Sequence, residues 1–188
     1  DALCADGSSM VTEFIYWSDY YNSIISPFYS YSTGRTKETL RSSQVTCRDI
    51  DDDGYIEIPK DTSSKKQSSE ITSQNWVNYG NTVLSHKCYS FSCKRDGYIL
   101  VIDDDDFSKV KAMYDSESRK LTLINKKNKS NVLEIVTLIS SSYSVKDPKY
   151  KDYTMIMKNS GFVYLAKVNK SSDIDINIQT LKDMIKVY

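Results

Sequence analysis

Strand-forming composition, an Asp-Gly hairpin in mid-chain and a late change to helical spacing predict a mainly β, α+β protein. The expected architecture is a β-hairpin region carrying an acidic loop, followed by an antiparallel sheet with a C-terminal helix. The 188 residues hold 15 tyrosines but only six glycines and three prolines. Tyrosine, with serine, threonine, isoleucine and valine, suits pleated, half-exposed strands. The length suffices for a hydrophobic core, as one large domain or two small ones. Three segments are expected: a β portion over 1–60, a polar linker over 61–75 and an α+β antiparallel-sheet domain over 76–188.

The first β-prone run covers 10–17, where Val11, Phe14, Ile15 and Trp17 supply apolar side chains. A second, over 43–47, leads into the acidic loop, and residues 55–58 form the outgoing strand. Pro59 is expected to end that strand, because it has no N–H for the ladder. The stretch 61–74 is rich in serine, threonine and lysine, including Lys65 and Lys66, and reads as an exposed linker or loop.

In the second half, strands are expected from Trp76 and over 83–93, with Tyr89, Phe91 and Cys93 in alternation. Lys94-Arg95-Asp96-Gly97 makes the turn, since Asp-Gly tolerates positive φ, and residues 98–102 return. Acidic residues at a helix start suggest a short turn over 105–109. A meander follows over 109–114, 120–125 and 131–139, and a hairpin over 153–157 and 162–168 around Asn159-Ser160-Gly161. From the N-cap Asn177, residues Ile178, Leu181, Ile185 and Tyr188 fall at helical spacing. No repeat of fixed period is present.

The charge balance narrows the function classes. Basic and acidic residues number 25 each, so the whole chain exerts no pull toward nucleic acid or an anionic membrane, and no nucleic-acid partner is expected. No run approaches the roughly 18 to 20 apolar residues of a membrane span. The start, Asp-Ala-Leu-Cys, has neither an initiator methionine nor a signal-peptide pattern and reads as a processed or trimmed fragment. Four cysteines, Cys4, Cys47, Cys88 and Cys93, allow three full pairings, which stay open. Cys88 and Cys93, with His86 as the single histidine, match neither zinc nor redox spacing.

The segment Asp49-Ile50-Asp51-Asp52-Asp53-Gly54-Tyr55-Ile56-Glu57 carries the clearest chemistry. Calcium takes six to eight hard oxygen ligands, and alternate aspartates let a short turning backbone aim several carboxylates at one point. Asp49, Asp51 and Asp53 meet that need, Gly54 permits the bend, the Tyr55 carbonyl supplies a main-chain oxygen, and Glu57 ligates directly or through water. Lys60 stands where an EF-hand has its bidentate glutamate, and the flanks are strand-like. The expected site is therefore a structural calcium loop between strands, with a metal-free acidic turn as its rival.

The loop, continued through Ile58-Pro59, resembles the calcium loop of FG-GAP and VCBS-type β-propeller blades. It is more closely similar to uncharacterised clostridial secreted lipoproteins. Ala5-Asp6-Gly7, Thr12-Glu13-Phe14-Ile15-Tyr16-Trp17 and the loop follow in the order found there. The resemblance covers about the first 60 residues, with looser likeness at Asp96-Gly97-Tyr98, Phe162-Val163-Tyr164 and the final helix. It implies a propeller-blade remnant, a secreted or cell-surface location with a lipid anchor on residues before Asp1, and a calcium-stiffened scaffold. It implies no catalytic residues.

The leading expectation is thus a non-catalytic extracellular or cell-surface binding or scaffold module, its partner a surface protein or carbohydrate. The alternative is a hydrolase, or hydrolase accessory, acting on cell-wall or glycan substrates through acidic residues such as Glu57 or Asp106. Asp103-Asp104-Asp105-Asp106 lacks the glycine turn and reads as a solvated turn or helix start. His86 and Cys88 have no recognisable orienting partner for nucleophilic catalysis. Tyr16, Tyr20, Tyr21, Tyr29 and Tyr31 offer an aromatic binding face, against the preferred reading of ordinary strand packing.

Overall fold

The structure, a computed structural model, describes residues 1–42, 44–62, 70–80, 83–144, 147–170 and 173–188. The chain divides into two compact units, Asp1–Ser68 with Thr72–Tyr89, and Ser69–Ile71 with Ser90–Tyr188. It is mainly β, with antiparallel sheets, a short helix near the C-terminus and no closed barrel among the described residues. Of the expected linker, residues 63–69, with Lys65 and Lys66, lie outside the described residues, while Asp61 closes one strand and Ile71 opens the next.

The first unit begins with three small hairpins. β1 (Ala2–Leu3) pairs with β2 (Met10–Val11), β3 (Tyr16–Ser18) with β4 (Ser23–Ile25), and β5 (Tyr29–Ser30) with β6 (Arg35–Thr36). The first closes through Asp6-Gly7: the Asp6 carboxylate accepts from the Ser8 and Ser9 amides, both at 2.9 Å, and Gly7 has φ +66°. The hydroxyls of Ser26 and Thr36 both donate to the Glu13 carboxylate. β7 (Ile58–Asp61), β8 (Ile71–Gly80) and β9 (Val83–Cys93, as far as Tyr89 in this unit) then form a sheet in that order.

Three expectations for this region are corrected. The run over 10–17 is broken between β2 and β3 because the Thr39 hydroxyl takes the backbone groups of Thr12, accepting from its amide at 3.1 Å and donating to its carbonyl. Residues 44–47 form no strand. The buried Arg41 guanidinium occupies the Val45 carbonyl at 2.9 Å, and the Asp1 carboxylate accepts from the Cys47 amide at 2.8 Å. The strand expected over 55–58 starts instead at Ile58 and contains Pro59, opposite Trp76. β7 lies at the edge of its sheet, where the missing N–H faces no partner strand.

Phe14, Phe28 and Tyr79 form the aromatic part of this unit's core. Phe14 lies 4.9 Å from each of the other two rings, which are 5.3 Å apart. All three contacts are edge-on, the arrangement the ring quadrupoles favour. Ile58 and Val77, opposite one another on β7 and β8, pack beside them.

The second unit takes the end of β9 and β10 (Tyr98–Ile102), then α1 (Asp104–Lys109), β11 (Val110–Asp115), β12 (Lys120–Asn125) and β13 (Asn131–Ile139). It continues with β14 (Thr154–Lys158), β15 (Phe162–Val168), α2 (Ile178–Met184) and β16 (Ile185–Val187). One sheet runs β11-β12-β13-β15-β14, so the expected meander and hairpin join through β13 and β15. Buried Leu121, Leu123, Leu133, Ile135, Val163 and Leu165 fill its core.

The tail departs from a continuous helix. Asn177 caps α2, its side chain accepting from the Gln179 and Thr180 amides at 3.0 Å, and Leu181 is fully buried. The helix ends at Met184, and β16 pairs with β10, Ile185 opposite Leu100 and Val187 opposite Tyr98. Ile185 and Val187 are β-branched, and pairing with β10 satisfies backbone groups that a fraying last helical turn leaves open.

Candidate metal centre

The Asp49–Glu57 loop is a tight turn built from its own carboxylates. Asp52 and Gly54 take positive φ, 61° and 89°. This folds the backbone so that Asp49 accepts from the Asp53 amide at 3.0 Å and the Gly54 amide at 2.8 Å. Asp53 accepts from the Tyr55 amide at 2.9 Å. At its base Arg48 and Glu57 exchange backbone hydrogen bonds of 3.2 and 2.9 Å, and Ile50, fully buried, anchors the loop to the core.

This fold brings Asp49, Asp51 and Glu57 together: one carboxylate oxygen from each lies within 4.8 Å of the others. Ligand oxygens bound to calcium at 2.3–2.6 Å are at most about 5 Å apart, so the three fit around one ion. Asp53 stands outside this triad. The Lys87 ammonium, brought from β9, pairs with Asp53 and, at 3.0 Å, with Asp51. That pairing is the first cause holding the Asp53 carboxyl below its usual range, and Asp53 in turn raises Lys87. The Tyr55 side chain is exposed.

Glu57 is the unusual member. Its side chain is inaccessible to solvent; one oxygen accepts from the Ile50 amide at 3.0 Å, and the other has no hydrogen-bond partner. Burial, and then the charges of Asp51, Asp53 and Asp49, push its carboxyl upward, against the Ile50 hydrogen bond that lowers it. A buried acceptor left unpaired costs about 1–3 kcal/mol. A cation bound by the triad offsets the carboxylate repulsion, and one that takes the unpartnered Glu57 oxygen as a ligand also removes that cost. The donors are all hard oxygens, which suit calcium or magnesium over softer metals.

An apolar cavity of about 560 Å³ in the same unit is lined by Phe14, Ile58 and Tyr79, with Tyr55 and Ile56 from the end of the loop. The five tyrosines divide: Tyr16 is half-buried in β3 with its ring 6.5 Å from Phe14 and Tyr29 lies in β5, whereas Tyr20 and Tyr31 are 89% and 80% exposed, Tyr20 stacking edge-on with Tyr21, and Tyr31 with Tyr29.

The second acidic run opens a helix. Asp103 precedes α1, and Asp104, Asp105 and Asp106 form its first turn. Asp106 is buried, pairing with Lys109 at 3.4 Å and accepting from the Asp175 amide at 3.2 Å. Glu57 and Asp106 belong to different units. His86 bonds through Nδ1 to the Asn75 side chain and packs on Tyr89. All four cysteines are free thiols, and burial pushes Cys93 up to about 12, which makes it inert.

Two residues escaped the sequence reading. Lys87 sits in an ordinary strand pattern 34 residues from Asp53, with no local signal of its role. Asp96 reads as a turn residue, yet it is fully buried, accepting from Tyr114 at 2.8 Å and Arg119 at 2.7 Å, while its carbonyl accepts from Tyr164 at 2.9 Å. Among protein-family models, curated proteins and solved structures, none matches this chain.

Proposed function

We propose that this chain is a non-catalytic extracellular or cell-surface binding or scaffold module whose first unit is stiffened by one structural calcium ion. The observation that carries the reading is the buried Glu57 carboxylate, with an oxygen lacking any partner, converging with Asp49 and Asp51. An acidic turn on a surface needs no ion when its carboxylates face water. One whose central carboxylate is sealed from water, beside two others, is relieved by a cation.

The ion fixes the turn between Arg48 and Glu57 and performs no chemistry there. Tyr55 and Ile56 then present a defined wall to the apolar cavity, and this wall, with the exposed tyrosines, provides surface for a protein or carbohydrate partner. The reading is tested by isothermal titration of calcium chloride into the metal-stripped protein. It predicts one ion per chain, lost in Asp51→Asn; absence of binding in the wild-type chain refutes it.

A further inference from the structure

We propose that Lys87 is a resident counter-ion which calcium must displace, so that the loop alternates between an ammonium-closed form and an ion-bound form. This rests on the calcium reading above and adds the residue that sets the affinity. Asp51 belongs to both arrangements: it lies in the triad with Asp49 and Glu57, and its carboxylate holds the Lys87 ammonium at 3.0 Å. A divalent ion at ligand distance from Asp51 competes with the ammonium for one carboxylate, and the repulsion between the two cations favours the ammonium's release.

Departure is feasible because the pairs are partly open to water. The Lys87 side chain is 29% exposed, and those of Asp51 and Asp53 are 32% and 31% exposed. Its release also frees Asp53, whose second oxygen Lys87 holds, to join as a fourth carboxylate. The ammonium does not complete the site by itself. Among the described residues it pairs with Asp51 and Asp53 only, and Glu57 keeps its unpartnered oxygen. Lys87 therefore maintains the turn when calcium is scarce and weakens calcium binding by the strength of two ion pairs.

The test is calorimetric titration of calcium chloride into the wild-type chain, Lys87→Met and Lys87→Arg, with thermal melts of each in calcium and in chelator. Two partly exposed ion pairs are each worth a few-fold, so Lys87→Met binds calcium about tenfold more tightly. It also melts lower in chelator, with a larger rise on adding calcium, whereas Lys87→Arg keeps the charge and behaves as wild type. Lys87→Gln repeats the test should the methionine variant not fold. If the neutral variants and wild type bind calcium equally well, the Lys87 proposal is overturned and the calcium reading stands. If none binds calcium, the calcium reading fails and takes the Lys87 proposal with it.

Discussion

Replacing Glu57 by Gln raises stability without calcium and removes the gain that calcium brings. Glutamine keeps the size of the side chain and an oxygen to accept from the Ile50 amide, now at 3.0 Å. It removes the buried charge and places an NH2 donor beside the Asp49 and Asp51 carboxylates, whose oxygens lie within 4.8 Å of a Glu57 oxygen. In chelator the variant gains about 1–3 kcal/mol, the cost of the unpaired buried acceptor that it removes. In calcium it loses the linkage term, about 2.7 kcal/mol when the ion is a hundredfold above the wild-type Kd. At about 2–4 °C per kcal/mol for a chain of this size, Glu57→Gln melts several degrees above wild type in chelator and shows almost no rise with calcium. Differential scanning calorimetry of both proteins in both buffers reads the effect. A variant that melts below wild type in chelator, or keeps the full calcium-dependent rise, refutes the reasoning.

Asp96→Ala leaves the Arg119 guanidinium, which stacks 4.6 Å above the Phe162 ring, and the Tyr114 hydroxyl without their buried acceptor. The expected loss is about 3–5 kcal/mol in urea unfolding, and a loss under about 1 kcal/mol contradicts the assignment. At about pH 8 a thiol reagent leaves Cys93 unlabelled until denaturant is added, whatever the half-buried Cys4, Cys47 and Cys88 take up, because burial pushes its thiol up to about 12; rapid labelling at Cys93 itself in the folded chain, located by peptide mapping, contradicts this. The same burial makes the second unit sensitive to alkali. Cys93 and Tyr98 are both raised in the folded state, so their contribution is complete below the unfolded thiol value of 9.0 and is lost as pH rises toward about 12. The urea midpoint falls between about pH 8 and about pH 10.5, and an unchanged midpoint contradicts the sign.

Local chemistry made much of the second unit legible. The Lys120–Asn125, Asn131–Ile139 and Phe162–Val168 strands fall where alternation placed them, and Gly97 takes the positive φ that the hairpin requires. The first unit was less legible because remote side chains satisfy its backbone. Thr39 interrupts the run after Val11, and Arg41 with Asp1 occupies the backbone of Val45 and Cys47. None of these partners is signalled by period. Pro59 misled because its cost depends on whether the strand is central or at an edge, a property of the sheet. Ile185 fits a helical stripe and a strand equally well, and pairing with β10 decided between them. In the loop, carboxylate spacing pointed to Asp49, Asp51, Asp53 and Glu57 with the Tyr55 carbonyl, of which Asp49, Asp51 and Glu57 come together in the fold. The burial of Glu57 is a property of the folded unit, and the approach of Lys87 arises only once β9 is in place.

The central claim is that calcium completes a site around the buried Glu57 carboxylate, and thermal unfolding of the full chain in calcium and in chelator tests it most directly. A melting temperature that rises with calcium concentration, with one ion per chain found by elemental analysis, is the predicted result. A melting temperature indifferent to calcium, with no bound ion, contradicts it and leaves the loop as an acidic turn neutralised in part by Lys87.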